Sequence, residues 1–149
     1  MEYQAGREEG RLMKEIQIIN ARDMYRAALE KLESACLLKA SGKYNDSLSR
    51  SYYGAFHAIT LLFMLEGQTF SRHSQLIGNF NKQFIATDIF PKELGKALGT
   101  LYDERQGADY DFFQHSEKHE AQEGIEKAEL IVSTIKHYVE NKFAINLLP

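Results

Sequence analysis

Arg105, Asp109 and Tyr110 are the residues whose types and spacing most suggest chemistry. Leu94, Leu98 and Leu101 recur along one helical face, and Arg105 takes the next inward position. A guanidinium extending an apolar stripe is costly unless it is paired or faces a wet groove. Asp109, four residues on, can be that partner if the helix persists past Gly107. The planar fork of an arginine suits a phosphate, so one reading is a cation held ready for one. The other is a structural Arg–Asp pair that fixes a helix end.

Three further groups share one face of a second helix: Arg50, Tyr53 and His57. Together they can bind a nucleotide, with arginine on phosphate, tyrosine on a base and histidine on either. The same residue types also make subunit interfaces, and one groove can be both. His73 follows Arg72 just inside a helix start, where free N–H groups welcome anions. An exposed histidine in a capping turn is the alternative. His115 and His119 are four apart and next to Glu120, a partial metal set on a charged helix start. None of the five histidines has an acid three residues before it, so the Glu-x-x-His pattern of carboxylate-bridged metal bundles is absent. No metal site and no cofactor is assigned. Neither a GxxxxGK phosphate loop nor a GxSxG elbow occurs.

These residues need helices to position them. The stretch from Asn45 to Glu66 reads as one helix, with Asn45 or Asp46 as cap and Gly67 as stop. Leu48, Tyr52, Ala55, Phe56, Ile59, Leu62 and Phe63 make its apolar stripe. The opposite side carries Arg50, Tyr53, Gly54, His57, Leu61 and Met64, where a surface helix would show Lys and Glu. Both sides are therefore expected to be occupied, the second by another subunit, a ligand, or both. A preceding helix spans about Ala21 to Ala40, capped at Asn20 and Asp23 and ended at Ser41-Gly42. Residues 1–20 read as an arm or frayed helix, and residues 21–149 as the domain.

A third helix starts at a Ser71 cap and breaks at Thr87-Asp88. A fourth begins at Pro91 and ends or turns irregular at Gly107. A fifth is capped by Ser116 and carries Ala121, Ile125, Ala128, Val132, Ile135 and Val139 as a long seam. The apolar tail from Phe143 to Pro149 can dock on a neighbour. The expected fold class is all-α: an up-and-down bundle of about four long helices plus short ones.

Bulk properties narrow the function classes. A chain of 149 residues fits one domain with a real core. A net charge of −3 supplies no broad basic field, which disfavours nucleic-acid binding by charge alone but leaves a local basic groove open. Cys36 is the sole cysteine and reads as a small buried residue, so no disulfide framework exists, in keeping with a reducing cytoplasm. No apolar run has the length of a membrane span, and no secretory leader opens the chain.

Three stretches together resemble the HEPN domain family, in its branch of small stand-alone prokaryotic proteins. Lys43 to Ala58, KYNDSLSRSYYGAFHA, is similar to the family's "kY..A..R.YYA.FHA" helix. Phe70 to Leu76, FSRHSQL, is similar to its His-containing start of a middle helix. Arg105 to Tyr110, RQGADY, has the R-x-x-x-D-Y form of this branch. The likeness covers about residues 22–138. It implies a helical bundle that often forms a homodimer, with the functional groove at the interface. It also implies a nucleotide- or RNA-binding module, a metal-independent ribonuclease toxin, or a partner of a minimal nucleotidyltransferase in a toxin–antitoxin-like pair. The catalytic candidates it points to are Arg105, Asp109 and Tyr110. The ribonuclease form carries R-x4-6-H, with arginine on the scissile phosphate and histidine on protons. Here the fifth position after Arg105 is Tyr110, and tyrosine, with an ordinary pKa of about 10, is a poor base at neutral pH. The resemblance therefore leaves a non-catalytic binding module, a ribonuclease lacking its usual histidine, and a plain helical scaffold as the expectations.

Overall fold

The structure, a computed structural model, describes residues 2–110, 112 and 115–148, with side chains from residue 4 onward. Met1 and Pro149, the ends of the expected arm and tail, lie outside the described residues. Five α-helices follow one another: α1 (Glu2–Ala40), α2 (Tyr44–Leu65), α3 (His73–Phe80), α4 (Lys92–Tyr110) and α5 (Lys118–Phe143). A π-helical turn, Asn81–Ile85, continues α3. Every regular element among the described residues is helical, as the all-α expectation requires.

The helix bearing the paired tyrosines is the centre of the bundle. α2 packs against α1, α4 and α5. Small residues let it approach closely. A Cβ on Gly54 would lie 3.0 Å from Leu32 Cδ2 and 3.4 Å from the Ala28 carbonyl on α1. On the α5 side, a Cβ on Gly124 would lie 2.7 Å from Leu48 Cδ2. Ser47 Oγ donates to the Ala35 carbonyl at 2.8 Å, a buried tie between α1 and α2. Leu48, Tyr52, Ala55, Ile59, Leu62 and Phe63 are buried as the stripe predicts. Phe56 is only half-buried. Of the second face, Gly54 and Leu61 are buried too, while Arg50 is exposed. That face is thus occupied along part of its length by the protein's own α1.

Several helix ends differ from expectation. α1 runs unbroken through Asn20 and Asp23, because no glycine or proline stops it between residues 11 and 41. α2 starts at Tyr44 with Lys43 at its cap position, and Asn45 Oδ1 instead accepts the Ser116 N–H at 3.0 Å. Arg72, not Ser71, is the cap residue of α3. Glu117, not Ser116, caps α5, with its N–H donated to Glu120 Oε1 at 3.0 Å. α4 passes through Gly107 to Tyr110. Gly107 costs helix stability relative to alanine by about 1 kcal/mol, which the Arg105–Asp109 pair spanning it can offset in part. Cys36 is exposed rather than buried. The tail docks on its own chain: Leu147 is fully buried, and Arg22 Nε donates to the Asn146 carbonyl at 2.8 Å.

Candidate phosphate site at Arg105

The periodicity that carries Leu94, Leu98 and Leu101 inward brings Arg105 to the mouth of the bundle, opposite Tyr53 on α2. Its Nη2 donates to Tyr53 Oη at 2.8 Å and its Nε to Asp109 Oδ2 at 2.9 Å. The guanidinium carbon lies 5.3, 5.1 and 5.8 Å from the ring centres of Tyr52, Tyr53 and Tyr110. A cation among three aromatic rings is held by their quadrupoles as well as by its hydrogen bonds. These two bonds use two of the five N–H donors an arginine carries. The Arg105 side chain is 12 % exposed and that of Asp109 29 %. Burial works to lower the Arg105 pKa, but Tyr53, Asp109 and Tyr110 outweigh it and raise it. The site therefore holds a permanent positive charge that reaches the surface at one edge.

The histidine next to this charge is His73, the first residue of α3. Its Nδ1 is 2.8 Å from Tyr52 Oη, and its ring stacks on Phe56 with centres 4.0 Å apart. Burial lowers its pKa, and Arg105 lowers it further. Burial also pushes the Tyr52 phenol up, against the pull of Arg105. A neutral imidazole thus faces a protonated phenol, and the pair leans on the guanidinium. His73 is therefore neither an exposed capping-turn residue nor an isolated anion contact.

Arg50 is exposed and lines an open groove with Asp46, Ser49, Tyr53 and Asp109. It shares that groove with Tyr53 and Asp109, the hydrogen-bond partners of Arg105, and is bonded to neither. His57 is different. It is half-buried beside the Tyr53 and Phe56 rings, and its pKa is lowered by burial and by Lys31 of α1. Its charge environment is α1, not Arg105. Of the predicted residues, Tyr53, Arg105, Asp109 and Tyr110 form one cluster, His73 joins it through Tyr52, Arg50 lies along its rim, and His57 stands apart.

Glu117, His119 and Glu120 bring one ligand atom each within 4.8 Å of one another at the start of α5. The group is surface-exposed, Glu120 is engaged in capping, and His119 Nδ1 pairs with Glu117 Oε2 at 3.2 Å. His115 is not part of that group.

The sequence reading missed Tyr52 and Phe56 as site residues by assigning both to the core. A hydroxyl on a fully buried position was the available signal, since a buried tyrosine needs a partner for its O–H.

Comparison with known proteins agrees with this architecture. The HEPN domain profile matches residues 21–138. A UPF0332 protein of Thermotoga maritima is 31% identical over 78% of this chain and 88% of its own. A protein of Methanocaldococcus jannaschii named as a candidate toxin is 30% identical over 77% of this chain and 78% of its own. The crystal structure of TT1696 from Thermus thermophilus superposes with a TM-score of 0.66, at 21% identity, over 78% of this chain and 96% of that one. The last establishes shared fold only. The helical order, the tyrosine-bearing central helix and the profile match together make this chain a member of the HEPN domain family.

Proposed function

We propose that this HEPN domain is a toxin-like binding module that grips a phosphate of a nucleotide or RNA with Arg105. One observation carries the reading: Arg105 is held by Tyr53, Asp109 and three aromatic rings, yet has N–H donors left, and its partners Tyr53 and Asp109 line an open groove. An incoming phosphate competes with Asp109 for the guanidinium, and Arg50 on the groove rim supplies a second cation. The Methanocaldococcus jannaschii relative named as a candidate toxin supplies the biological class. Asp109 and Tyr110 frame the arginine. Tyr53 holds it from the α2 side and His73 is linked to it through Tyr52, while His57 contributes to packing against α1. The module works as a homodimer in the cytoplasm, with a nucleotidyltransferase-type protein as its partner. No helix among the described residues is long and apolar enough to cross a membrane.

A second reading, metal-independent cleavage of RNA, is favoured by one feature. His73, linked to Arg105 through Tyr52 and held neutral by burial, is a proton acceptor on a different helix from Tyr110, where the family's usual histidine is missing. Fluorescence anisotropy of a labelled RNA in EDTA tests the binding role, and a gel of the same samples tests the cleavage role. The binding module predicts intact RNA and an affinity lost in Arg105→Ala. Cleaved RNA, with cleavage lost in both Arg105→Ala and His73→Gln, selects the enzyme. No binding by either protein leaves a helical scaffold.

A further inference from the structure

A pocket of about 310 Å³ lies next to the Arg105 cluster and is not used by the phosphate grip. That volume is at the lower end of small-ligand sites. Phe56, Phe63, Phe70 and Leu76 wall it, with Met24 and Met64 behind. Phe56 belongs to both regions, because it also stacks on His73. The Arg105 guanidinium is 5.3 Å from the Tyr52 ring, and that ring is 5.9 Å from Phe56. Two ring contacts, through the buried Tyr52, therefore link the cation to the pocket wall at Phe56.

The rim is polar where the walls are not. The Gln68 N–H donates to the Phe63 carbonyl, and the Gln68 side chain is closed in a double amide pair with Gln83. The next three backbone N–H groups, of Thr69, Phe70 and Ser71, make no hydrogen bond to the described residues, and neither does the Thr69 hydroxyl. Aromatic walls with unused donors along one edge suit a flat heterocycle that stacks and is read at its edge. An aliphatic side chain of a protein partner would fill the walls but leave those donors and the adjacent cation without a role.

We propose that this pocket takes the nucleobase of a nucleotide or RNA whose phosphate is held at Arg105, stacking on Phe56 or Phe70 with its edge on the Thr69–Phe70 backbone. The inference rests on the phosphate reading above. Amide and arginine Nε signals of the 15N-labelled protein are followed during titration with AMP, adenosine, ribose 5-phosphate and N-acetyl-leucinamide. AMP moves Thr69, Phe70, Ser71 and Arg105 together. Adenosine moves only the first three, and ribose 5-phosphate only Arg105. Phe70→Ala weakens AMP about tenfold and leaves ribose 5-phosphate unchanged. Hexa-adenylate RNA, binding more tightly or less tightly than AMP, separates RNA from a free nucleotide as the source of the base.

The proposal is overturned if adenosine leaves residues 69–71 unmoved, or if a folded Phe70→Ala protein binds AMP as the wild type does. It is also overturned if N-acetyl-leucinamide moves those amides and adenosine does not, which assigns the pocket to a protein side chain. A failure of the phosphate grip looks different: AMP and adenosine then bind equally, both moving residues 69–71 and neither moving Arg105.

Discussion

Two groups of aromatic rings sit at different places along the bundle and do opposite things. One is dry. Phe80, Phe84 and Phe90 stack on one another at 5.4 to 5.9 Å, with Phe63 and Tyr138 edge-on to Phe84. All four phenylalanines are 3 % exposed or less. In the other group Tyr52 and Tyr53 flank a guanidinium, with Phe56 and His73 packed on Tyr52, and the group reaches the surface. Rings alone therefore do not mark a site. What differs is the polar atom each ring carries and the charge it must accommodate. The phenylalanine group contributes burial, and the tyrosine group spends part of its burial to position a cation.

The contrast is most sharply broken at Phe80. It is fully buried, so Phe80→Ala is expected to cost about 3–5 kcal/mol in a denaturant melt, with little change in phosphate affinity once refolded material is assayed. A loss below about 1 kcal/mol would mean that this group is not the dry core. Arg105→Ala should show the reverse pattern. RNA affinity falls about tenfold or more, since hydrogen bonds to a charged group are worth about 1.5–3 kcal/mol, while the melt moves less than for Phe80→Ala. Arg105→Lys should not restore it, because a point charge cannot span Tyr53, Asp109 and a phosphate at once. In wild type the slope of log affinity on log salt should correspond to one or two phosphates, about −0.7 to −1.4.

His73 sharpens the comparison through pH. Its pKa in the folded state is below the ordinary 6.5, so the unfolded chain takes up the proton more readily. The stability tied to neutral His73 is complete above that value and is lost as pH falls below it. His57 has the same sign. The wild-type melting temperature should therefore drop between about pH 7.5 and about pH 5.5, and His73→Gln should flatten part of that drop, with His57 keeping the rest. An unchanged pH profile would show that His73 is not desolvated. The smallest effect is expected on the exposed first half of α1. Leu12 and Ile16 are 56 % and 48 % exposed, so Ile16→Ser should change monomer stability by no more than about 0.5 kcal/mol.

The two aromatic groups also show what a sequence exposes and what it hides. Helical periodicity placed Leu94, Leu98 and Leu101 on one face and so carried Arg105 to its position, and the i,i+4 spacing anticipated Asp109 as its partner. The stripe of α2 was legible for the same reason, except at Phe56. That residue lies at the edge of the stripe, where spacing does not settle exposure, and His73 decides it by stacking there. The helix ends were less legible. Asn20, Ser71 and Ser116 have capping side chains, yet α1 runs through the first with no glycine or proline to stop it, and the caps of α3 and α5 lie one residue further on. The link from His73 to Arg105 was hidden altogether, because it runs through the hydroxyl of a residue that periodicity assigns to the core. His57 shows the converse. It shares a helix face with Tyr53, but one helical turn is enough to carry it from the charge of α4 to that of α1.

The most direct test of the whole account is the 15N-edited spectrum of the Arg105 Nε–H group during titration with a short RNA, recorded in EDTA. If Asp109 yields the guanidinium to a phosphate, the Arg105 signal moves saturably, the Tyr53 and Asp109 signals move with the same midpoint, and His57 stays still. If the RNA binds while the Arg105 signal does not move, the arginine is a structural strut and the phosphate is held elsewhere.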